Sequence, residues 1–337
     1  MTILLAIIAG TGLGYIFERG DFCFHSTWRG LAQKPRQLDL FRAYLLTMLI
    51  AIPLVQGMKA LGWIDPWIPP FAWQANIFGG LIFGVGMVVA ASCITGLFYK
   101  LGHGMAGVLV GLTFWALGDV LTYLGPLKPL REALQANVIE VNGQSATVTN
   151  LFGLAGWLIL AVLAVAAIIY LVRSPVNGRN PLWNWLTLGI AAGLFMSFAW
   201  LLARTGGANY TYGTSGVPSG IVQALSGQGG GGSIWIPITL IMLVPGAFIA
   251  AKRSGTFWLR GETARRYVEL GAGGLLMGVG AGIAGGCNLG HSLVGVPLLS
   301  MGSIASTIAM AAGVIITATA VRIWQSRQQT AASPQTA

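Results

Sequence analysis

Nine apolar runs follow one another along the chain, at about 3–17, 42–61, 74–91, 104–124, 151–172, 183–203, 234–251, 267–285 and 302–321. A helix rises about 1.5 Å per residue, so roughly 20 residues cross a hydrocarbon core. Several runs are shorter than that, and the short ones stop at glycine-rich stretches that carry a cysteine. Polar and basic residues gather between the runs. The pattern predicts an all-α polytopic membrane protein of about nine transmembrane helices, some of them broken or re-entrant.

One line is written twice. "GLIFGVGMVVAASC" runs from Gly80 to Cys93 and "GLLMGVGAGIAGGC" from Gly274 to Cys287. Gly80, Gly84, Gly86, Ala90 and Cys93 fall at the offsets of Gly274, Gly278, Gly280, Ala284 and Cys287, and both copies continue Cys-x-x-Gly, to Gly96 and Gly290. The runs divide as four, one and four. An odd connector makes the second half cross in the opposite sense, so the expected fold is an inverted repeat whose broken helices meet near the membrane centre. It is one transporter domain over 1–337, with halves at 1–125 and 183–323, a connector at 151–172 and a disordered tail at 328–337. GxxxG-like spacing also serves helix packing, which accounts for Gly80, Gly84, Gly274 and Gly278 but not for the cysteines. A fainter pairing sets 12–26 against 193–216. There the second copy lacks a cysteine and offers Asn209, Tyr210, Tyr212, Thr214 and Ser215.

Composition and charge sharpen this. The 337 residues are 55% hydrophobic and 8% charged, against about 25% charged in a soluble domain. The net charge of +10 does not mark a nucleic-acid binder, because the basic residues sit between the apolar runs. They cluster in the linkers 29–42, 173–179 and 252–266 and after residue 321. Placing all four on the cytoplasmic side fits nine crossings from an external N-terminus. The loops 62–73, 125–150 and 204–233 then face outward. No basic stretch precedes the first run, which reads as a membrane segment and not as a cleaved leader.

The candidate chemistry lies in Cys23, Cys93 and Cys287, each beside glycines at the end of a run. A buried cysteine is ordinarily a small apolar filler; three in matching contexts point further. An odd number does not make a disulfide framework. A helix broken in lipid must bury its freed backbone groups or line a cavity with them, and Gly20, Gly96, Gly102, Gly104, Gly285, Gly286 and Gly290 offer the freedom to break. The freed N–H groups and the half-helix dipole suit an anion. A thiol is a weak, polarizable donor that suits a soft sulfur atom, so the set suggests a sulfur-bearing anion passed between thiols. Two other readings stand beside it. Cys23 with His25, Cys93 with His103 and Cys287 with His291 could take a soft metal, but the three spacings differ and acids are scarce inside the runs, Asp119 being the one deep within. A thiol oxidoreductase would want a Cys-x-x-Cys pair, which is absent.

At "RGDFC" (19–23), "GVGMVVAASCITG" (84–96) and "GVGAGIAGGCNLG" (278–290) the chain resembles the YeeE/YedE family of sulfur-transport membrane proteins, over nearly its whole length. The resemblance implies an hourglass-like inverted repeat in the inner membrane and passage of thiosulfate by S–H···S relay across Cys23, Cys93 and Cys287. It also implies a cytoplasmic TusA-like sulfurtransferase as partner. Cys93 and Cys287 are expected to form the central relay, with Cys23 toward the cytoplasm. Gly96, Gly290 and Asn288 would hold the sulfonate oxygens together with backbone N–H groups, and His103 and His291 would add positive character. No cofactor, metal or enzymatic step is expected. Another reduced sulfur or selenium anion is the alternative cargo. Asp21 stands where family members often carry a basic residue, and an acid there opposes a dianion unless it is paired.

Overall fold

The computed structural model describes residues 1–176, 182–227 and 233–332. Its helices are α1 (Thr2–Gly20), α2 (Phe24–Ala32), α3 (Asp39–Ala60), α4 (Trp73–Val89), α5 (Ile94–His103), α6 (Val108–Tyr123), α7 (Lys128–Gln135), α8 (Val148–Phe152), α9 (Leu154–Val172), α10 (Trp185–Thr205), α11 (Val217–Leu225), α12 (Trp235–Ser254), α13 (Ala264–Ala284) and α14 (Met301–Ala332). A π-helical turn spans Leu289–Gly295, and a hairpin pairs β1 (Glu140–Val141) with β2 (Gln144–Ser145). Among the described residues eight helical spans are long and apolar enough to cross a bilayer; α1 with α2 and α4 with α5 each count as one. The pair α6 and α7, bent by 68°, makes a ninth. The protein is therefore a polytopic membrane protein, and each of the nine runs has its helix. The tail differs in part from expectation. Helix α14 continues to Ala332, so 328–332 are helical, while 333–337 lie outside the described residues.

Loop contacts sort the connections onto two faces. On one, Arg322 donates to the Ala32 carbonyl, Trp258 N–H to the His103 carbonyl, and Arg42 lies over the Tyr170 ring. This face carries the basic linkers; Arg179 lies outside the described residues. On the other, Trp67 N–H donates to Asn209, Ile139 N–H to Phe71, and Ser300 to Pro69. The loops 62–73, 125–150 and 204–210 thus interlock opposite the basic face.

Helices in lipid gain no hydrophobic drive toward one another, so close backbone approach must supply dispersion. Glycines do this here, and they do it in pairs. At the α4–α13 crossing, a methyl on Gly79 would lie 2.7 Å from the Gly280 carbonyl, and one on Gly280 2.7 Å from the Gly79 carbonyl. Gly86 and Gly273 stand in the same relation, at 2.8 and 2.7 Å from each other's carbonyl oxygens. Adding 194 to 79 and 86 gives 273 and 280, so the seam maps onto itself. Away from the seam, Gly80 and Gly84 face the Ser306 and Met310 carbonyls of α14, as Gly274 and Gly278 face Gly111 and Trp115 of α6. Gly10 and Gly14 of α1 press on Thr239 and Leu243 of α12, as Gly189 and Gly193 of α10 press on Ala43 and Thr47 of α3. Swapping the halves reproduces every one of these contacts. The single span α9 lies between the halves, so the second copy is inverted. The fainter repeat holds too, but in a register two residues from the expected one: Gly14, not Gly12, matches Gly193.

Candidate functional site

The three cysteines share one local device. Asp21, Ala91 and Gly285 lie in the left-handed region, at φ 46°, 44° and 77°. Each ends a helix, as such residues commonly do, and each stands two residues before a cysteine. Cys23 then caps the start of α2, Cys93 caps the start of α5, and Cys287 precedes the π-helical turn. The breaks thus form where expected, but two of the three left-handed residues carry a Cβ. Gly20, Gly96, Gly102 and Gly286 serve close approach instead. Methyls there would meet the Leu188 side chain, the thiols, the Val244 carbonyl and the His291 ring.

The freed carbonyls at the two repeat-related breaks are tied off from opposite halves. Arg266 of α13 donates to the Ala90 carbonyl. Its equivalent, the Ala284 carbonyl, accepts from His291 Nε2 at 3.1 Å and from Asn76 Nδ2 at 3.2 Å. Arg266 belongs to the basic face, whereas Gln135 of α7 reaches the Ile283 carbonyl from the other, at 2.8 Å. The breaks therefore sit toward opposite faces.

All three thiols are buried. Cys23 Sγ donates to Cys93 Sγ at 3.6 Å, and Gly96 N–H donates to Cys93 Sγ at 3.2 Å. Gly96 is the floor of this pair. A methyl there would lie 2.6 Å from Ser92 Oγ, 3.1 Å from Cys23 Sγ and 3.3 Å from Cys93 Sγ. Ser92 Oγ in turn accepts from Lys100 Nζ at 3.1 Å. Cavities approach from the basic face on two sides. One, of about 500 Å³, is lined by His25, Arg29, Lys34 and Arg322; the other, of about 430 Å³, by Glu18, Asp21, Tyr99, Lys100 and Arg260. Asp21 accepts from the Tyr99 hydroxyl at 2.8 Å.

Cys287 is built differently. The N–H groups of Leu289 and Gly290 and the Thr214 hydroxyl lie near its sulfur. The Thr214 hydroxyl is buried and unpartnered. Beside Gly290 there is room, since a methyl would come no closer than 3.6 Å to the Tyr212 carbonyl. The Gly290 carbonyl accepts from Tyr210 at 2.7 Å. Asn288, next to the cysteine, is fully buried with both side-chain amide atoms unpartnered, and the hydroxyls of Thr95 and Thr211 are buried and unpartnered as well. Such groups are costly to leave unmet and mark places for water or a polar cargo.

Buried thiols and freed N–H groups thus stand together at paired helix breaks. A family model described as sulphur transport matches residues 19–316, from the arginine of "RGDFC" past all three cysteines. The chain belongs to this sulphur transport family. Two curated relatives are named thiosulfate transporter TsuA. The one from Spirochaeta thermophila is 28% identical over 314 residues, covering 89% of this chain and 93% of the relative. The one from Escherichia coli is 27% identical over 310 residues, covering 87% of each. The probable transporter YedE of Escherichia coli is 30% identical over 122 residues, which cover 35% of this chain and 27% of that protein.

In this family member the histidines stand apart from the expected roles. His103 lies at the far end of α5 from Cys93 and pairs with Glu18. His291 is buried between Ser303 Oγ at 3.0 Å and the Ala284 carbonyl, where it braces the helix break. Among the described residues no three His, Cys, Asp or Glu side chains cluster as metal ligands do. Cys93 meets Cys23, not Cys287, which revises the expected central relay. The sequence singled out Thr214 only through the fainter repeat and Asp119 only as an acid inside an apolar run, and it gave Lys100 no role. Asp119 is buried and accepts from the N–H groups of Gly216 at 2.7 Å and Ser219 at 3.0 Å. It thereby fixes the start of α11 and the loop that carries Thr214. Its isolation inside an apolar run was the available signal.

Proposed function

We infer that the protein takes thiosulfate into the cytoplasm across the inner membrane. The anion is received beside Cys287, in the cradle of the Leu289 and Gly290 N–H groups, Asn288 and Thr214. It is then handed to the Cys23–Cys93 pair and released through the cavities of the basic face. The observation that carries this reading is the 3.6 Å contact between two buried thiols at helix breaks, with a third thiol at the repeat-related break. Each thiol donates to the terminal sulfur in turn, while N–H groups and half-helix dipoles hold the oxygens. The thiols act as donors and not as nucleophiles, so the route needs no covalent step. The names of the two long relatives support thiosulfate over other sulfur or selenium anions. The cavity lined by Arg29, Lys34 and Arg322 suits a cytoplasmic TusA-like sulfurtransferase that collects the product.

The test is growth on thiosulfate as sole sulfur source in cells that lack every sulfate and thiosulfate importer. The parent is compared with Cys23→Ala, Cys93→Ala and Cys287→Ala at matched membrane levels. Growth with the parent and its loss in each variant is the expected result. Growth with the three variants would remove the relay. Block of uptake by a small thiol reagent, with no protection by thiosulfate, would turn the thiol pair into a redox site.

A further inference from the structure

The two ends of the route differ in charge although the fold relates them by symmetry. The repeat offset that carries Cys93 to Cys287 carries Lys100 to Val294 and Ser92 to Gly286. At the basic-face end, Lys100 Nζ is tethered by Ser92 Oγ at 3.1 Å. That oxygen converges with both thiols on one face of Gly96. The ammonium is thus one hydrogen bond from the oxygen that converges with the thiol pair. At the Cys287 end the groups near the sulfur are N–H donors and a hydroxyl; Tyr210 stands near, and the position of the lysine is apolar. A neutral cradle measures shape and sulfur softness. A fixed cation beside a buried pair responds to the number of negative charges, because its attraction scales with them.

We propose that Lys100 is the residue that reads the charge of the cargo and makes the route select a dianion over a monoanion of the same shape. This rests on the sulfur-anion reading of the preceding section and adds to it a specificity determinant. The discriminating probe is methanethiosulfonate, in which a methyl replaces one oxygen of thiosulfate. It keeps the terminal sulfur and the tetrahedral head but carries one charge where thiosulfate carries two. The rival role for Lys100 is purely structural, as a tie between α5 and the residue before Cys93.

The experiment uses the full chain in proteoliposomes, with uptake of ³⁵S-labelled thiosulfate and of labelled methanethiosulfonate measured for the parent, Lys100→Met and Lys100→Arg. The expected result is a parent preference for thiosulfate that falls about tenfold in Lys100→Met, a single-charge effect of modest size. Methanethiosulfonate uptake is expected to stay near the parent level, and Lys100→Arg to keep most of the preference. Equal loss of both anions in Lys100→Met would assign the lysine a structural role and overturn the proposal. So would an unchanged preference. A parent that carries neither anion would defeat the transport reading itself, and the proposal with it.

Discussion

Gly96 is where the geometry makes its sharpest demand. Replacing it with alanine puts a methyl 2.6 Å from Ser92 Oγ, 3.1 Å from Cys23 Sγ and 3.3 Å from Cys93 Sγ, where comfortable heavy-atom contacts need about 3.5–4.0 Å. Over-packing of this kind costs about 1–3 kcal/mol. Alanine in a helix returns up to about 1 kcal/mol. Net destabilisation is therefore about 0–3 kcal/mol, small enough for the variant to reach the membrane. The methyl presses on both thiols from one side and forces their 3.6 Å contact to shift, so thiosulfate uptake is expected to fall at least about tenfold, equivalent to about 1.4 kcal/mol on the transport barrier. The repeat supplies the control. Gly290→Ala meets nothing closer than 3.6 Å and keeps the N–H that lies near Cys287. Its uptake should stay within about twofold of the parent, less than 0.5 kcal/mol. Uptake by both variants, normalised to protein in the membrane, is the measurement. Equal uptake by the two would refute the assignment of Gly96 as the floor of the thiol pair.

Three further outcomes are expected. Ala91→Gly relieves a Cβ held at φ 44°, so the thermal midpoint in detergent should rise by the equivalent of about 0.5–1 kcal/mol; a fall would show that Ala91 carries no strain. Asp119→Ala removes the acceptor of two N–H groups, one buried and one half-buried, worth about 1.5–3 kcal/mol each when the acceptor is charged. Amide exchange should quicken across 214–219 while the α4–α13 seam keeps its protection; uniform loss would make Asp119 a general core residue. A tag in the β1–β2 hairpin should be labelled from outside the cell and a tag at 255–262 should not, and labelling of both from one side would break the inverted repeat.

The membrane class and the nine spans were legible because lipid imposes a simple rule: long apolar runs with the charge between them. The strong repeat was legible because both copies need glycine at the same crossings, Gly80 and Gly84 against α14 and Gly274 and Gly278 against α6, with Gly86 and Gly280 in the seam between α4 and α13. The weak repeat was hidden by a length change. Helix α10 runs twelve residues past Gly193, whereas α1 runs six past Gly14. The cysteines announced the site, but their pairing did not follow from the repeat. Cys93 meets the first half's own Cys23, because the break between α1 and α2 lies against the break between α4 and α5. Asp21 gave only a weak sign of the left-handed turn it adopts, aspartate being among the few residues besides glycine that visit that region, and Ala91 gave none.

Helix α9 has a different kind of consequence. Only Gly156 and Leu171 are buried along its 19 residues, and its main partners are the neighbouring α8 and α3. It contributes almost nothing to the seams that hold the halves together. What it supplies is parity. With one extra crossing, a duplicated half is read upside down, and one face of the membrane receives the charged copy of the break while the other receives the neutral one. Almost any apolar segment of this length would serve, so α9 is the span whose side chains are freest to change, and the handedness of the whole route depends on its being there at all.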